Sequence, residues 1–227
     1  MRVQLRLTAA LLALLVLACG EQLVGCHNRH SSPVLAAELQ PIQLPKPEIT
    51  AGLPLMQALA KRQTTRDFAD QPLSLQTLSN LLWAAFGVNR PRELKRGLGL
   101  GRTAPSGMNR QEVELYVVLA QGVYIYDAEK NLLRPVVAGD ARGTVCVGGA
   151  VHAAVTLVYV ADPKLDFAQV DTGFIGQNVY LFAASEGLNA WFYSLHGPSD
   201  IAAVAVALKL PTDKRPLYRQ SVGFPPK

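Results

Sequence analysis

Hydrophobic and polar positions divide the chain into three zones. An unbroken apolar run from Ala9 to Ala18 follows Arg2 and Arg6. From His27 to Ala51 no period lasts, and Pro33, Pro41, Pro45 and Pro47 punctuate a polar stretch that reads as an extended tether. Periodicity begins near Gly52. Leu55, Met56 and Leu59 fall on one helical face that ends at Lys61-Arg62. A second helix opens at Pro72 and Ser74, repeats Leu75, Leu78, Leu81, Leu82, Ala85 and Phe86 at spacings of three and four, and stops at Gly87. Asn89 to Thr103 is Arg/Gly-rich without apolar rhythm and reads as a long loop.

The pattern then changes period. Val113, Leu115, Val117 and Leu119 alternate with more polar or exposed partners, and Gly122 turns the chain into a second strand at Val123–Tyr126. Ala153–Val160 is an apolar, β-branched run that fits a buried strand. Asp171-Thr172-Gly173 opens a helix with the stripe Ile175, Val179, Phe182 and Ala183, ended by Gly187. Ala190–Leu195 reads as a strand, Ser199 as the cap of an Ala-rich helix running to Leu210, and Tyr218–Phe224 as a final strand. Helices and strands mix without regular βαβ alternation, which predicts an α+β fold.

The apolar run near the start adds an address. A basic start followed by ~7–15 apolar residues is the pattern of a secretory signal, whereas a spanning helix takes roughly 20. Arg2 and Arg6 are not adjacent, so no twin-Arg pair is present. Residues 1–18 are expected to be a signal peptide, 19–51 a tether and 52–227 the functional domain. Val16-Leu17-Ala18-Cys19 and Leu23-Val24-Gly25-Cys26 both resemble the bacterial lipobox, and Cys19 directly abuts the apolar run. The expectation is a periplasmic protein or a lipoprotein facing outside the cytoplasm, anchored to the membrane by lipid only.

Composition excludes several classes. The formal charge is +5, and losing Arg2 and Arg6 with a leader leaves +3. No Lys/Arg-rich run interleaved with aromatics appears, so no nucleic-acid footprint is read. Cys19, Cys26 and Cys146 and the histidines at 27, 30, 152 and 196 form no metal-ligand cluster; His27 and His30 share an H-x-x-H spacing that, in a polar linker, reads as solvated rather than ligating. Cys26 and Cys146 remain available to pair in an oxidising compartment. Gly97-x-Gly99-x-Gly101 departs from the dinucleotide fingerprint and follows no strand. There is no G-x-S-x-G elbow and no carboxylate pair for hydrolysis; Asp67, Asp70 and Asp127 fall in helix ends and turns.

Three segments are unusually polar or strict for their positions. In Lys61-Arg62-Gln63-Thr64-Thr65-Arg66-Asp67-Phe68, two guanidinium forks bracket a hydroxyl, a set that suits a phosphate monoester. In Pro105-Ser106-Gly107-Met108-Asn109, a Pro/Gly loop brings Ser and Asn together just before a strand. The third is the helix that carries Gly173, Gln177, Asn178, Gly187 and Leu188.

Taken in order, these segments resemble the FMN-dependent nitroreductase superfamily, whose members carry R-R-S-x-R-x-F, then P-S-x-x-N, then G-h-x-x-Q-N-x-x-L-x-A-x-x-x-G-L. Arg62 through Phe68 match with Thr64 for Ser and Gln63 for the second Arg. Pro105–Asn109 and Gly173–Leu188 fit, and Val222-Gly223-Phe224-Pro225 matches a closing V-G-y-P. Leu81–Gly87 and Val113–Tyr126 look like the SagB-type dehydrogenase branch, and the resemblance spans about Leu53 to Lys227.

The resemblance implies a three-layer α/β/α fold with a mainly antiparallel sheet, an obligate homodimer, and FMN at the dimer interface. It assigns Arg62, Thr64 and Arg66, with Gln63 beside them, to the phosphate and ribityl chain. Pro105, Ser106, Gly107 and Asn109 would line the isoalloxazine ring from the partner subunit, and backbone around Ser194 and Leu195 would face its N5/O4 edge. No catalytic side chain is assigned, because flavin N5 carries the two-electron exchange between a donor and a small acceptor such as a quinone or nitroarene. Family members often place Lys or Arg beyond the last strand, where this sequence has only Lys227. That departure and Gln63 leave open a flavin-binding or flavin-storage protein without turnover. Lys164 is followed by Leu165, so the Lys-Tyr pair of the azoline oxidases in this branch is not carried over. Outside the cytoplasm NAD(P)H is scarce, which turns the expected donor toward a membrane quinol or a redox partner protein, with FMN acquired after export.

Overall fold

Residues 38–90 and 99–227 are described by a computed structural model. The expected signal peptide, Cys19, Cys26, His27, His30 and Gly97 lie outside those residues. The elements are β1 (Ile42–Gln43), α1 (Leu55–Lys61), α2 (Leu75–Phe86), β2 (Val88–Arg90), β3 (Gly101–Arg102), β4 (Glu114–Leu119), β5 (Gly122–Asp127), β6 (Leu132–Ala138), α3 (Arg142–Val145), β7 (Val155–Ala161), α4 (Ala168–Ser185), β8 (Asn189–Ser194), α5 (Gly197–Ala207) and β9 (Arg215–Gly223). Seven strands form one antiparallel sheet in the order β1-β6-β5-β4-β7-β9-β8. This is the α+β architecture expected, with helices on both faces.

Strand alternation explains the layers. On one face Leu115, Val117, Leu157, Tyr159 and Val222 pack with Leu81 and Leu82 of α2 and Ile175 and Val179 of α4. On the other, Tyr116, Val118, Val158, Val160 and Tyr193 pack with Val145 of α3 and Val204 of α5. Burial of each such side chain contributes about 1.5–3 kcal/mol, so α2 is held mainly by the stripe that its spacing announced. Ser74 caps α2 by accepting from the Thr77 N–H at 3.0 Å, and Gly87 closes it.

Several expectations shift. The apolar face of α1 points outward: Leu55, Met56 and Leu59 are exposed while Ala58 is buried. A three-residue repeat cannot say which side of a short helix meets a neighbour, and here the smallest residue makes the close approach. Asn89–Thr103 is not all loop, since β2 and β3 pair as a small ribbon. Residues 38–51, expected to belong to the tether, are attached to the domain. There β1 adds to the β6 edge, Leu44 is buried, and the Asn131 amide donates to the Pro45 carbonyl at 2.7 Å. Short Pro-rich segments pair at sheet edges without any lasting period, which hides them from pattern reading.

Ser199 is not the cap of α5. The helix starts at Gly197 with Pro198 in its first turn, and the Asp200 carboxylate reaches back to the His196 N–H at 2.7 Å. An acid inside the first turn meets the unsatisfied amide that a Ser cap would otherwise serve.

Candidate functional site

The edge strand β8 organises the predicted phosphate-binding segment. Beyond α1 the chain runs extended along β8: the Thr65 N–H donates to Ala190 O at 3.0 Å, and the Ala190 N–H returns to Thr65 Oγ1 at 3.1 Å. Asn189 donates to the Asp67 carbonyl at 2.7 Å. The segment therefore covers the strand's free edge while its side chains fan outward.

Tyr180 and Trp191 hold those side chains in place. The Tyr180 hydroxyl lies 3.0 Å from Thr64 Oγ1 and accepts from the Phe192 N–H at 2.8 Å. Either hydroxyl can donate in the Thr64–Tyr180 contact, since a phenolic oxygen that accepts from Phe192 keeps a second lone pair. The Arg62 guanidinium lies over the Tyr180 ring at 5.4 Å, and that of Arg66 over the Trp191 ring at 5.5 Å. Among the described residues neither arginine has a carboxylate within ion-pairing range. Two guanidinium groups over aromatic faces, with Lys61 and a hydroxyl beside them, form a donor set without a counter-charge among the described residues. Gln63 and Lys61 line an adjoining cleft of about 360 Å³, walled by Tyr180, Gly187, Leu188 and Asn189. A second cavity, about 290 Å³ between α2, α4 and residues 48–51, contains none of the predicted site residues.

The Pro105–Asn109 loop sits at the other end of α4. Its Gly107 N–H donates to Asp171 Oδ1 at 3.0 Å, and the Ser106 hydroxyl accepts from the Gln111 N–H at 2.7 Å. Met108, Asn109 and Gln111 all have positive φ, near 50–55°, a costly conformation for side-chain-bearing residues that the surroundings must enforce. Arg102 and the Leu100 carbonyl grip the Gln111 side chain at 2.6 Å each. A Cβ at Gly107 would collide with the Phe167 ring. Pro105 and Met108 are exposed, Ser106 and Asn109 half-buried.

Asp171 and Tyr180 are nine residues apart on α4, roughly 13 Å along its axis at 1.5 Å per residue. The structure thus places the arginine segment and the Pro105–Asn109 loop at separate ends of one helix. Ser194, exposed, ends β8 three residues beyond Trp191, roughly 10 Å at ~3.3 Å per residue. The arginine segment and Ser194-Leu195 therefore share one edge of the molecule.

Sequence reading missed the contacts of Tyr180, Trp191 and Asp171 with the predicted segments. An aromatic on a helix stripe and an acid in a first turn look like core and dipole complement, and only the fold brings them to the site. Cys146 is a free, buried thiol 3.2 Å from Thr156 Oγ1, and burial raises its pKa.

The model of the nitroreductase family matches residues 59–224. This chain belongs to the nitroreductase family. A crystal structure from Ralstonia eutropha JMP134, assigned as a nitroreductase, is 36% identical with a TM-score of 0.74 over 85% of this chain and 93% of that one. A Methanocaldococcus jannaschii protein assigned as a nitroreductase is 29% identical over 169 residues, covering 65% of this chain and 80% of the relative. The Escherichia coli microcin synthetase complex is similar in fold alone, at 22% identity and a TM-score of 0.62 over 74% of this chain and 70% of that one. Membership makes this nitroreductase-family chain an oxidoreductase and fits its antiparallel sheet between helical layers.

Proposed function

We propose that this nitroreductase-family protein is an FMN-dependent oxidoreductase that passes two electrons to a small organic acceptor such as a quinone or nitroarene. The observation that carries the reading is the pair Arg62 and Arg66, each over an aromatic ring, flanking the Thr64 hydroxyl and without a carboxylate partner among the described residues. Such a set fits a phosphate monoester: forked donors give two-point contacts, and no internal acid competes. Bound FMN supplies the two-electron chemistry at its N5 position, and the chain supplies orientation and electrostatics.

In this reading Arg62, Thr64 and Arg66 hold the phosphate, with Gln63 on the cleft wall. Ser194 and Leu195 face the ring edge from the same chain. Pro105, Ser106, Gly107 and Asn109 line the ring across a homodimer interface. Gly107 does so by its missing side chain, because its N–H is committed to Asp171. The outward Leu55, Met56 and Leu59 of α1 and the exposed Val170 and Phe174 of α4 are the apolar surface that a second copy would cover.

The address and branch belong to the same proposal: a SagB-type relative, exported, tethered through lipid on Cys19 or Cys26, and reduced by a membrane quinol or a partner protein. The test is to purify the protein, record its visible spectrum with and without added FMN, reduce it and add a quinone or nitroarene. The expected result is a yellow homodimer whose flavin is reoxidised faster than free FMN. No FMN uptake rejects the cofactor; uptake with reoxidation no faster than free FMN rejects turnover and leaves a storage protein.

A further inference from the structure

Arg219 lies in β9, paired with Tyr193 of β8, and its side chain is fully buried. Nη1 donates to the Val145 carbonyl at 2.7 Å and to Asp200 Oδ1 at 3.2 Å. Nη2 donates to Asp200 Oδ2 at 2.6 Å and to the Ser194 carbonyl at 3.2 Å. The same Asp200 oxygen accepts from the His196 N–H at 2.7 Å. The turn from β8 into α5 is thus held from beneath at both ends, at Ser194 O by the cation and at His196 N by the anion. Gly197 completes the bend with φ +84°.

A buried ion pair is a poor source of net stability, since desolvation offsets most of its attraction and an apolar pair of similar volume does as well. Its chemical consequence is local. The Ser194 carbonyl and the Leu195 N–H belong to one peptide group. A charge-assisted bond accepted by that carbonyl polarises the group and strengthens donation by its N–H.

We infer that Arg219 and Asp200 are positioning residues that set the redox poise of the site through the Ser194–Leu195 peptide; this rests on the FMN reading, in which that peptide faces the ring edge. Positive charge behind the peptide favours the electron-rich reduced flavin, and Asp200 partly cancels it. Removing each partner therefore shifts the balance in opposite directions. A clamp that served only the fold would not reverse sign between its two halves.

The experiment measures the midpoint potential of bound FMN in the wild-type protein, R219Q and D200N, together with each protein's affinity for oxidised FMN. R219Q keeps an amide donor but removes the charge, and its potential is expected to fall. D200N keeps the shape but removes the counter-charge, and its potential is expected to rise. A tenfold change in the relative affinity for oxidised and reduced FMN corresponds to about 30 mV for a two-electron couple. Variants that bind FMN but stay at the wild-type potential, or that move in the same direction, overturn the inference. If R219Q does not fold, D200N decides alone: a rise supports the inference and no rise overturns it. Failure of the wild-type protein to bind FMN, seen before any variant is made, overturns the underlying cofactor reading instead.

Discussion

The Asp171 carboxylate, buried in the first turn of α4, receives the Gly107 N–H from a loop sixty-four positions earlier, at 3.0 Å to Oδ1 and 3.3 Å to Oδ2. That contact fixes one end of a turn whose next residues have left-handed backbone conformations. Replacing Asp171 with Ala leaves the half-buried Gly107 N–H without its charged acceptor and is expected to cost about 1–3 kcal/mol in urea unfolding. Asp171→Asn keeps an acceptor oxygen and should lose less. Each ~1.4 kcal/mol of lost loop order weakens FMN binding tenfold, so a titration should rank wild type, Asn and Ala in that order. Equal affinities would separate this loop from the flavin.

Phe167 leaves no room for a side chain at Gly107. Gly107→Ala is expected to destabilise the loop by about 1–3 kcal/mol through overpacking, and Phe167→Ala in the same chain should recover much of that loss. The check is a double-mutant cycle on unfolding midpoints. Additive effects would show that the two residues do not compete for space.

Asp200 gives the protein an acid limb. Burial alone would raise its carboxyl pKa, but the His196 N–H and the Arg219 guanidinium outweigh burial and hold it below the usual value. A carboxyl whose folded pKa is lowered contributes stability above its unfolded pKa of about 3.9 and loses it as pH falls through the folded value. Thermal midpoints should therefore decline below about pH 5 more steeply in wild type than in Asp200→Asn. Parallel curves would refute the coupling.

Cys146 is buried, and desolvation raises its thiol pKa against weaker opposing contacts with Thr156 and Tyr193. The thiolate is the reactive form, so alkylation of the native protein at pH 7 should spare Cys146 until the protein is unfolded. Peptide mapping after maleimide treatment reads this directly. Rapid native labelling at Cys146 would contradict the packing around Thr156 and Ser221.

Long periodic elements are legible in the sequence. The Leu stripe of α2 and the buried run of β7 each bury enough apolar surface to declare themselves, whereas β4, expected to expose every second residue, is buried on both faces, Tyr116 and Val118 included. What stayed hidden had non-local causes. Edge strand β1 is two residues long and is specified by its pairing with β6. The outward face of α1 depends on which side α4 takes. Arg62, Thr64 and Arg66 stood out as a charge-and-hydroxyl set, but the rings that orient them come from Tyr180 and Trp191, more than a hundred residues later. Asp171 and Arg219 look like ordinary helix and strand residues until the fold turns them toward a loop and a peptide carbonyl.

The central claim is that the Arg62–Thr64–Arg66 set recognises the phosphate of FMN. The most direct measurement compares equilibrium binding of FMN and riboflavin, which differ only by that phosphate, in wild type and in the Arg62→Ala/Arg66→Ala double variant. Two charge-assisted contacts at about 1.5–3 kcal/mol each predict that wild type prefers FMN by at least a hundredfold and that the variant loses the preference while remaining folded. Equal wild-type affinities for FMN and riboflavin, or an FMN preference that survives the double replacement, would contradict it.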